Sequence, residues 1–256
     1  MRSKRASAEP DTTAGAPRAG SLRLAPVTAL ILLLSGCNEP PAPPATSEQF
    51  IALGTVVTVR YFEPPPAAAA RATAALTDLL RVRGVDWYPW GDGELRRVNA
   101  AIAAGEAIDV SAPLAGLLRA AARMEERTGG LFNPALGALT RLWGFNEPLA
   151  DNWQPPAAAE VARRLLHRPS ASSLRWDGNR LVAAGAHVVL DPGGIAKGVL
   201  LAEALDLLAR HGIADAIVDL GGDLVVRGSA GGRAARVGST AAGHVACRRL
   251  AGGGRG

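Results

Sequence analysis

The stretch that most constrains the fold of this chain lies between residues 188 and 227. It opens with a short apolar run, Val188–Leu190, which predicts a strand and is followed by Asp-Pro-Gly-Gly. A helix is then predicted from about Ala196 to Arg210, because apolar residues recur at helical spacing and Gly212 ends the pattern. A strand that leads through a glycine pair into a helix is compatible with a parallel unit, but the G-x-G-x-x-G pattern of dinucleotide-binding folds is absent from the sequence.

The residues after this helix predict an antiparallel hairpin. Ile213–Leu220 and Leu224–Arg227 are apolar runs joined by Gly221-Gly222-Asp223, which is typical of a tight turn. A second hairpin is predicted around Asp177-Gly178-Asn179, and a further strand over Gln49–Tyr61. Because hairpins alternate with helices, we expect an α+β fold with a largely antiparallel sheet and packed helices.

Four further helices are predicted from apolar periodicity and from capping signals. Ser111 is a typical N-cap residue, and Pro113 follows it in the first turn of the expected helix. The predicted helices cover about Ala67–Val82, Glu94–Val98, Pro113–Thr128 and Ala157–His167. The length of 256 residues allows one or two domains with a sizeable core.

The formal net charge of +5 is a property of the two ends of the chain. Up to Cys37 there are five basic and two acidic residues, and from Gly238 onward there are three basic residues and no acidic ones. The stretch between them carries 20 basic and 21 acidic residues, so we expect no nucleic-acid partner. With Cys37 and Cys247 as its only cysteines, the chain has neither a disulfide framework nor a cysteine-rich zinc site.

Residues 1–36 have the pattern of a secretory signal peptide. The apolar run Leu24–Leu34 is too short to cross a bilayer but suits a signal-peptide core. It ends in Leu34-Ser35-Gly36-Cys37, which resembles the lipobox of bacterial lipoproteins; the alternative is a buried apolar segment beside an unrelated cysteine. We expect lipidation at Cys37, a Pro-rich tether over residues 37–48, and a protein anchored on the periplasmic side of a bacterial membrane, with the inner membrane favoured.

Four segments of the chain, in order, resemble the signatures of one family. They are LGTVVTV at Leu53–Val59, ELRRVN at Glu94–Asn99, GGLFNPALGALTRLWGF at Gly129–Phe145, and the stretch Leu190–Gly228. Together they resemble the ApbE-type FAD:protein FMN transferases. The resemblance implies an enzyme that binds FAD and Mg²⁺, attaches FMN through a phosphoester to a Thr of a target flavoprotein, and releases AMP. The implied targets are subunits of membrane redox complexes.

The resemblance also implies where FAD and Mg²⁺ bind. Asp191 corresponds to an aspartate that contacts FAD, and the alternative is a turn residue before Pro192. Gly194 lies where a main-chain carbonyl contributes to the Mg²⁺ site. Independently of the family, a Gly-rich helix start can hold a pyrophosphate on its backbone N–H groups, with Lys197 as a point charge. The alternative is a tight turn beside a solvated lysine.

Two aromatic segments complete the predicted FAD site. Trp90 is the candidate that stacks on the isoalloxazine ring, and Trp87 and Tyr88 are the alternatives. Leu131-Phe132-Asn133 corresponds to a loop that lies over the flavin nucleotide, although Phe132 is equally well explained as a core residue. No residue is assigned as the catalytic base.

The resemblance stops at Gly238, and residues 239–256 are predicted to be a divergent Gly- and Arg-rich tail without strand periodicity. This tail has no carboxylate side chain, whereas the family's usual continuation carries the Asp and Thr that complete the Mg²⁺ site. We therefore expect a flavin transferase domain at 49–238 whose C-terminal part is missing, from a truncated or frame-shifted gene, with little or no Mg²⁺-dependent activity. The alternatives are a lipoprotein that binds FAD without turnover, and a structural lipoprotein whose glycines only form turns.

Overall fold

The computed structural model describes residues 45–146, 151–241 and 244–250. Cys37, the predicted signal peptide and most of the predicted tether lie outside these ranges, so the lipidation site stays a prediction. Across the three ranges, no helix combines the length and the apolar character that a membrane crossing requires.

Six helices are present in the described ranges; five of them confirm the predicted helices with shifted ends, and the short helix at Gly137–Leu142 was not predicted. The six helices are α1 (Pro66–Asp86), α2 (Glu94–Ala104), α3 (Ala112–Arg127), α4 (Gly137–Leu142), α5 (Ala158–Leu165) and α6 (Gly193–Arg210). The predicted N-cap of α3 is confirmed, because the Ser111 hydroxyl oxygen accepts a hydrogen bond from the Leu114 amide at 3.4 Å. Helix α2 runs beyond its predicted end at Val98, since the alanine-rich residues that follow favour helix.

Nine strands form three antiparallel sheets in the described part of the chain. The strands are β1 (Ala45–Ala52), β2 (Thr55–Phe62), β3 (Ile108–Asp109), β4 (Arg175–Asp177), β5 (Arg180–Ala183), β6 (Ala216–Leu220), β7 (Asp223–Arg227), β8 (Ala235–Ala241) and β9 (His244–Leu250). The largest sheet has the order β1-β2-β6-β7, a second has the order β3-β5-β4, and β8 pairs with β9. The predicted fold class, α+β with a largely antiparallel sheet and packed helices, is confirmed.

The main sheet buries one face against the helices. Val57, Val59 and Tyr61 of β2 alternate with more exposed residues and are fully buried. The Tyr61 hydroxyl lies 2.8 Å from Thr73 Oγ1 on α1, and burial raises the pKa of the Tyr61 phenol. Helix α6 packs on β6 and β7 and also contacts α1 and α3. The N-terminal end of α6 therefore belongs to a helix that is held by a sheet and by two other helices.

The single strand predicted over Gln49–Tyr61 is wrong, because the chain reverses within it. Leu53 and Gly54 have φ values of 52° and 70°, as in the type I′ turns that join two strands of a hairpin. Strands β1 and β2 are paired from Ala45 opposite Phe62 to Ala52 opposite Thr55. Residues 45–48, which were predicted to be tether, therefore belong to the sheet.

The hairpin predicted around Asp177-Gly178-Asn179 is confirmed by the pairing of β4 with β5. The strand predicted over Val188–Leu190 is not formed; a single parallel bridge joins Val189 to Leu136. No strand forms because the backbone of this segment has no described strand as a pairing partner. It bonds instead to the loop before α4 and to a side chain of α2.

The prediction that residues after Gly238 contain no strand is also wrong. Strands β8 and β9 pair in antiparallel register from Ala235 opposite Leu250 to Ala241 opposite His244. The prediction relied on alternation of apolar and polar residues, which marks strands with one buried face. Backbone pairing itself does not require that alternation, and the β-branched residues Val237, Thr240 and Val245 favour extended backbone.

Candidate functional site

Asn99 holds the segment that leads into Gly193-Gly194. Its Nδ2 donates to the Leu190 carbonyl at 3.0 Å, and its Oδ1 accepts from the Leu190 amide at 2.7 Å. The next amide, of Asp191, donates to the Pro134 carbonyl at 2.7 Å. Two segments that are distant in sequence, 94–99 and 129–145, thus fix the backbone around Asp191.

Asp191 connects this segment to the start of α6. Its Oδ1 accepts from the Gly193 amide at 3.1 Å, and its Oδ2 accepts from the Thr140 hydroxyl at 2.9 Å. Helix α6 begins at Gly193 rather than at the predicted Ala196, so Gly193 and Gly194 both lie in its first turn. The first amides of a helix have no partner inside it, and both glycines are exposed.

A cleft of about 400 Å³, here termed the aromatic cleft, opens beside this helix start. It is lined by Leu53, Arg83, Gly84, Trp87, Tyr88, Pro89, Trp90, Phe145, Asp191, Gly193, Ala196, Lys197 and Leu200. The structure thus brings Trp90 together with Asp191 and Lys197, which the sequence predicted from two separate segments. Of the two alternatives to Trp90, Tyr88 also offers exposed ring surface, whereas Trp87 is only 6% exposed.

Leu53 enters the aromatic cleft from the turn between β1 and β2. A Cβ atom at Gly84 would lie 2.6 Å from Leu53 Cδ2, so the absence of a side chain at Gly84 allows Leu53 to approach α1. The turn places an apolar side chain beside the aromatic residues. This packing is the physical role that the structure gives to the segment Leu53–Val59.

A second cleft of about 850 Å³, here termed the arginine cleft, shares Gly193 and Lys197 with the aromatic cleft. It is lined by Ala120, Arg123, Met124, Arg127, Gly193, Gly194, Ile195, Lys197, Gly198, Val199, Ala202 and Asp223. Sequence reasoning missed Arg123 and Arg127. Their spacing of four residues on α3 puts both on one helix face, but it does not reveal that this face lies opposite α6.

The side chains of the predicted flavin loop line neither cleft. The Phe132 ring packs against the first turn of α6, because its Cε2 lies 3.0 Å from the position of a Cβ at Gly194. Leu131 is 94% exposed. Asn133 Nδ2 donates to a main-chain carbonyl at 2.9 Å and its Oδ1 accepts from a main-chain amide at 2.8 Å. Its amide group therefore bonds within its own loop, at Ala135, and ties that loop to Pro169, and the FAD contacts of 131–133 stay predictions.

The described residues do not complete a Mg²⁺ site. In a helix the carbonyl of residue 194 accepts from the amide of residue 198, which uses part of the capacity of the Gly194 oxygen. Lys197 Nζ lies 3.3 Å from Asp223 Oδ2, so that carboxylate already has a cation partner. Within the ranges the structure describes, no three His, Cys, Asp or Glu residues are grouped to hold a metal ion. The metal role of Gly194 stays a prediction.

The chain belongs to the ApbE family, whose model matches residues 53–247. This match extends past Gly238, where the likeness judged by motifs stops. The boundary predicted at 36 and the early end of the domain at 238 stay predictions, whereas strand β1 already includes residues 45–48.

Relatives of known activity share the same stretch. The chain is 37% identical over 212 residues to a FAD:protein FMN transferase of Rhodobacter capsulatus, covering 81% of this chain and 40% of that protein. It is 32% identical over 184 residues to a FAD:protein FMN transferase of Treponema pallidum (strain Nichols), covering 70% of this chain and 50% of that protein. The chain thus spans 40 to 50% of the length of these two curated relatives.

Solved structures share the fold. The crystal structure of the ApbE protein of Thermotoga maritima has a TM-score of 0.74 at 24% identity, covering 82% of this chain and 69% of that one. The flavin transferase ApbE of Vibrio cholerae has a TM-score of 0.69 at 24% identity, covering 81% and 68%.

Proposed function

We propose that this domain transfers FMN from FAD to a threonine of a target flavoprotein and releases AMP. The observation that carries the proposal is the convergence of Trp90, Asp191 and Lys197 on one cleft at the start of α6. The activity of the relatives from Rhodobacter capsulatus and Treponema pallidum supports it. We propose subunits of membrane redox complexes as the acceptors.

The two clefts suit the two halves of a dinucleotide. In this arrangement the isoalloxazine ring stacks on Trp90 in the aromatic cleft, and the pyrophosphate lies at the first turn of α6. Gly193 and Lys197 border both clefts, so they face the middle of the dinucleotide. The positive end of a helix dipole, with the exposed Gly194 amide in its first turn, and a lysine ammonium are both suited to phosphate oxygens. The adenylate half then lies in the arginine cleft.

The reaction is a substitution at the FMN phosphorus. The threonine oxygen forms a new P–O bond, the P–O bond to the bridging oxygen of the pyrophosphate breaks, and AMP leaves with that oxygen. The hydroxyl proton of the threonine is released. Such transfers depend on positioning and on neutralisation of phosphate charge. Lys197 supplies one positive charge; Mg²⁺, which we include in the proposal, supplies more when bound, and no step is derived through it.

The test is incubation of the mature chain with FAD, Mg²⁺ and a synthetic peptide that carries one threonine from a flavoprotein subunit. We expect the peptide to gain the mass of FMN less one water, with an equal amount of AMP, and the sequence predicts that the rate is low. Lys197→Ala should remove the product. Arg210→Ala, which removes a charge from the far end of α6, should not.

Two outcomes contradict the proposal. Recovery of intact FAD without AMP, after FAD has bound, supports the alternative of a lipoprotein that holds FAD without turnover. Failure to bind FAD, measured by quenching of tryptophan fluorescence, contradicts both and supports a structural role.

We also propose that the protein is lipid-anchored at Cys37 on the periplasmic side of a bacterial membrane. The support is the apolar run that ends in Leu-Ser-Gly-Cys, followed by a Pro-rich segment. Cys37→Ser should move the protein from the membrane fraction to the soluble periplasmic fraction and abolish fatty-acid labelling. Cys247→Ser is the matched control and should change neither. Unchanged labelling of Cys37→Ser would contradict the anchor.

A further inference from the structure

A third cleft lies next to the aromatic cleft and is lined by three arginines and two histidines. The arrangement proposed above for FAD places neither half of the dinucleotide in it. Its volume is about 690 Å³. The polar residues that line it include Trp90, Arg141, Arg163, Arg164, His167 and His187. We name it the basic cleft. It is bounded by α4, by the C-terminal part of α5, and by the loop that follows β5.

The arginines of the basic cleft exceed the carboxylates that could neutralise them. Arg163 and Arg164 both pair with Glu160, the second at 3.0 Å. Arg141 has no carboxylate partner within the described ranges; its guanidinium lies 5.8 Å from the centroid of the Trp90 ring. Among the residues that the structure describes, these three arginines therefore have one carboxylate partner, Glu160. The His167 and His187 rings stack with centroids 3.6 Å apart and line the same cleft.

The position of the basic cleft separates it from the path proposed for FAD. Gly193 and Lys197, which border both the aromatic and the arginine cleft, do not line the basic cleft. A dinucleotide whose pyrophosphate lies at the start of α6 therefore occupies the other two. The basic cleft meets the aromatic cleft only at Trp90, so its occupant lies next to the flavin end of FAD.

We propose that the basic cleft binds an acidic segment of the acceptor polypeptide, next to the threonine that receives FMN. This inference rests on the proposed function, because the acceptor is the second substrate of that reaction. Arginine binds carboxylates through paired, charge-assisted hydrogen bonds. Arg141, with its charge uncompensated and its guanidinium over Trp90, is positioned to link acceptor binding to the flavin end of the site.

The experiment compares two fluorescein-labelled peptides by anisotropy. Each has one central threonine, flanked by aspartates in one peptide and by asparagines in the other, and the protein is the mature chain saturated with FAD. We expect the aspartate peptide to bind about tenfold more tightly, which corresponds to about 1.4 kcal/mol. Arg164→Gln should remove about tenfold of that affinity, leave the asparagine peptide unchanged, and leave FAD binding unchanged. Arg141→Gln should also lower the affinity for the aspartate peptide, and Arg141→Lys should retain part of the wild-type affinity for that peptide.

Arg210→Gln is the charge-matched control, because Arg210 lines none of the three clefts. Equal binding of the two peptides, or equal losses in Arg164→Gln and Arg210→Gln, would overturn the inference. A loss of FAD affinity in Arg164→Gln with unchanged peptide binding would also overturn it, because the cleft would then hold part of FAD. FAD binding by the wild-type chain is measured on its own, by quenching of tryptophan fluorescence. If the wild-type chain does not bind FAD, the proposed function is contradicted rather than this inference.

Discussion

Two of the glycine pairs in the chain, Gly193-Gly194 and Gly221-Gly222, look alike in sequence and meet different physical requirements. Gly221-Gly222 joins β6 to β7, and its φ values are 63° and 95°. Gly193-Gly194 forms the first turn of α6, where the backbone is helical. The turn pair adopts a conformation that other residues rarely take, whereas the helix pair adopts one that alanine would favour.

The difference shows which glycines build the fold and which leave room at the site. At the turn, glycine is required by backbone geometry and by the approach of Thr55, whose Cγ2 would lie 2.9 Å from a Cβ at Gly221. At the helix start, a Cβ at Gly194 would meet the ring of Phe132 at the edge of the arginine cleft. Substitutions at the two pairs should therefore separate stability from FAD binding.

The largest effect on stability is expected from Gly221→Ala. A left-handed backbone disfavours alanine, and the added Cβ must displace Thr55, so the free energy of unfolding should fall by about 3 kcal/mol. Urea unfolding followed by tryptophan fluorescence measures this loss. FAD affinity of the folded protein should be unchanged.

The control for this effect is Gly222→Ala. Gly222 also has positive φ, but nothing lies within 4 Å of the position of its Cβ. In Gly222→Ala the free energy of unfolding should therefore fall only by the cost of the left-handed backbone, about 1–2 kcal/mol. Equal losses for the two variants would show that the Thr55 contact carries no energy.

A smaller loss of stability is expected from Asn99→Ala, together with weaker FAD binding. Leu190 is fully buried, and this change leaves its amide and carbonyl without their partners. The free energy of unfolding should fall by about 2 kcal/mol. Because Asp191 follows Leu190 directly, FAD affinity should fall in the same titration.

Asp219→Ala is the matched change at the other glycine pair. Asp219 Oδ1 accepts from the Gly222 amide at 2.8 Å, so its loss should cost about 1 kcal/mol. FAD affinity should not change. If Asp219→Ala weakened FAD binding as much as Asn99→Ala, it would be incorrect to assign Gly193-Gly194 to the FAD site and to leave Gly221-Gly222 outside it.

The smallest effect on stability is expected from Gly194→Ala. Alanine favours a helix over glycine by about 1 kcal/mol, and this gain offsets the contact with Phe132. The free energy of unfolding should change by less than about 1 kcal/mol, while FAD affinity falls about tenfold. Gly116→Ala in α3 has open space around its Cβ and should stabilise the protein without changing FAD binding. Unchanged FAD affinity in Gly194→Ala would argue against the site.

The fold could be predicted where local signals and tertiary contacts agree. The N-cap at Ser111 and the turn at Asp177-Gly178-Asn179 are local signals, and both are confirmed. The first half of β1, residues 45–48, was missed because it is exposed and therefore lacks the alternation that marks a half-buried strand. Val188–Leu190 was predicted as a strand because it is apolar. An apolar run indicates that a segment is buried, but it does not show whether its backbone pairs with a strand or with a loop.

The candidate site was predictable in its motif residues and not in its surroundings. The family resemblance implied the roles of Asp191 and Trp90, whereas Lys197 followed from the Gly-rich helix start independently of the family. Arg123, Arg127 and Arg141 reach the clefts only because α3 and α4 pack near α6 or Trp90. That proximity is a property of tertiary packing, which no sequence motif of this chain encodes.

The most direct test of the proposed FAD site uses Lys197. Lys4 and Lys197 are the only lysines in the chain, and the Lys197 side chain is 44% exposed, so an amine-reactive reagent can report on it. Acylation of the unprocessed chain, which retains Lys4, is followed by mass spectrometry with and without saturating FAD, with Lys4 as internal reference. We predict that FAD slows acylation of Lys197 severalfold and leaves Lys4 unchanged. An unchanged rate at Lys197 while FAD is bound would contradict a pyrophosphate at the start of α6.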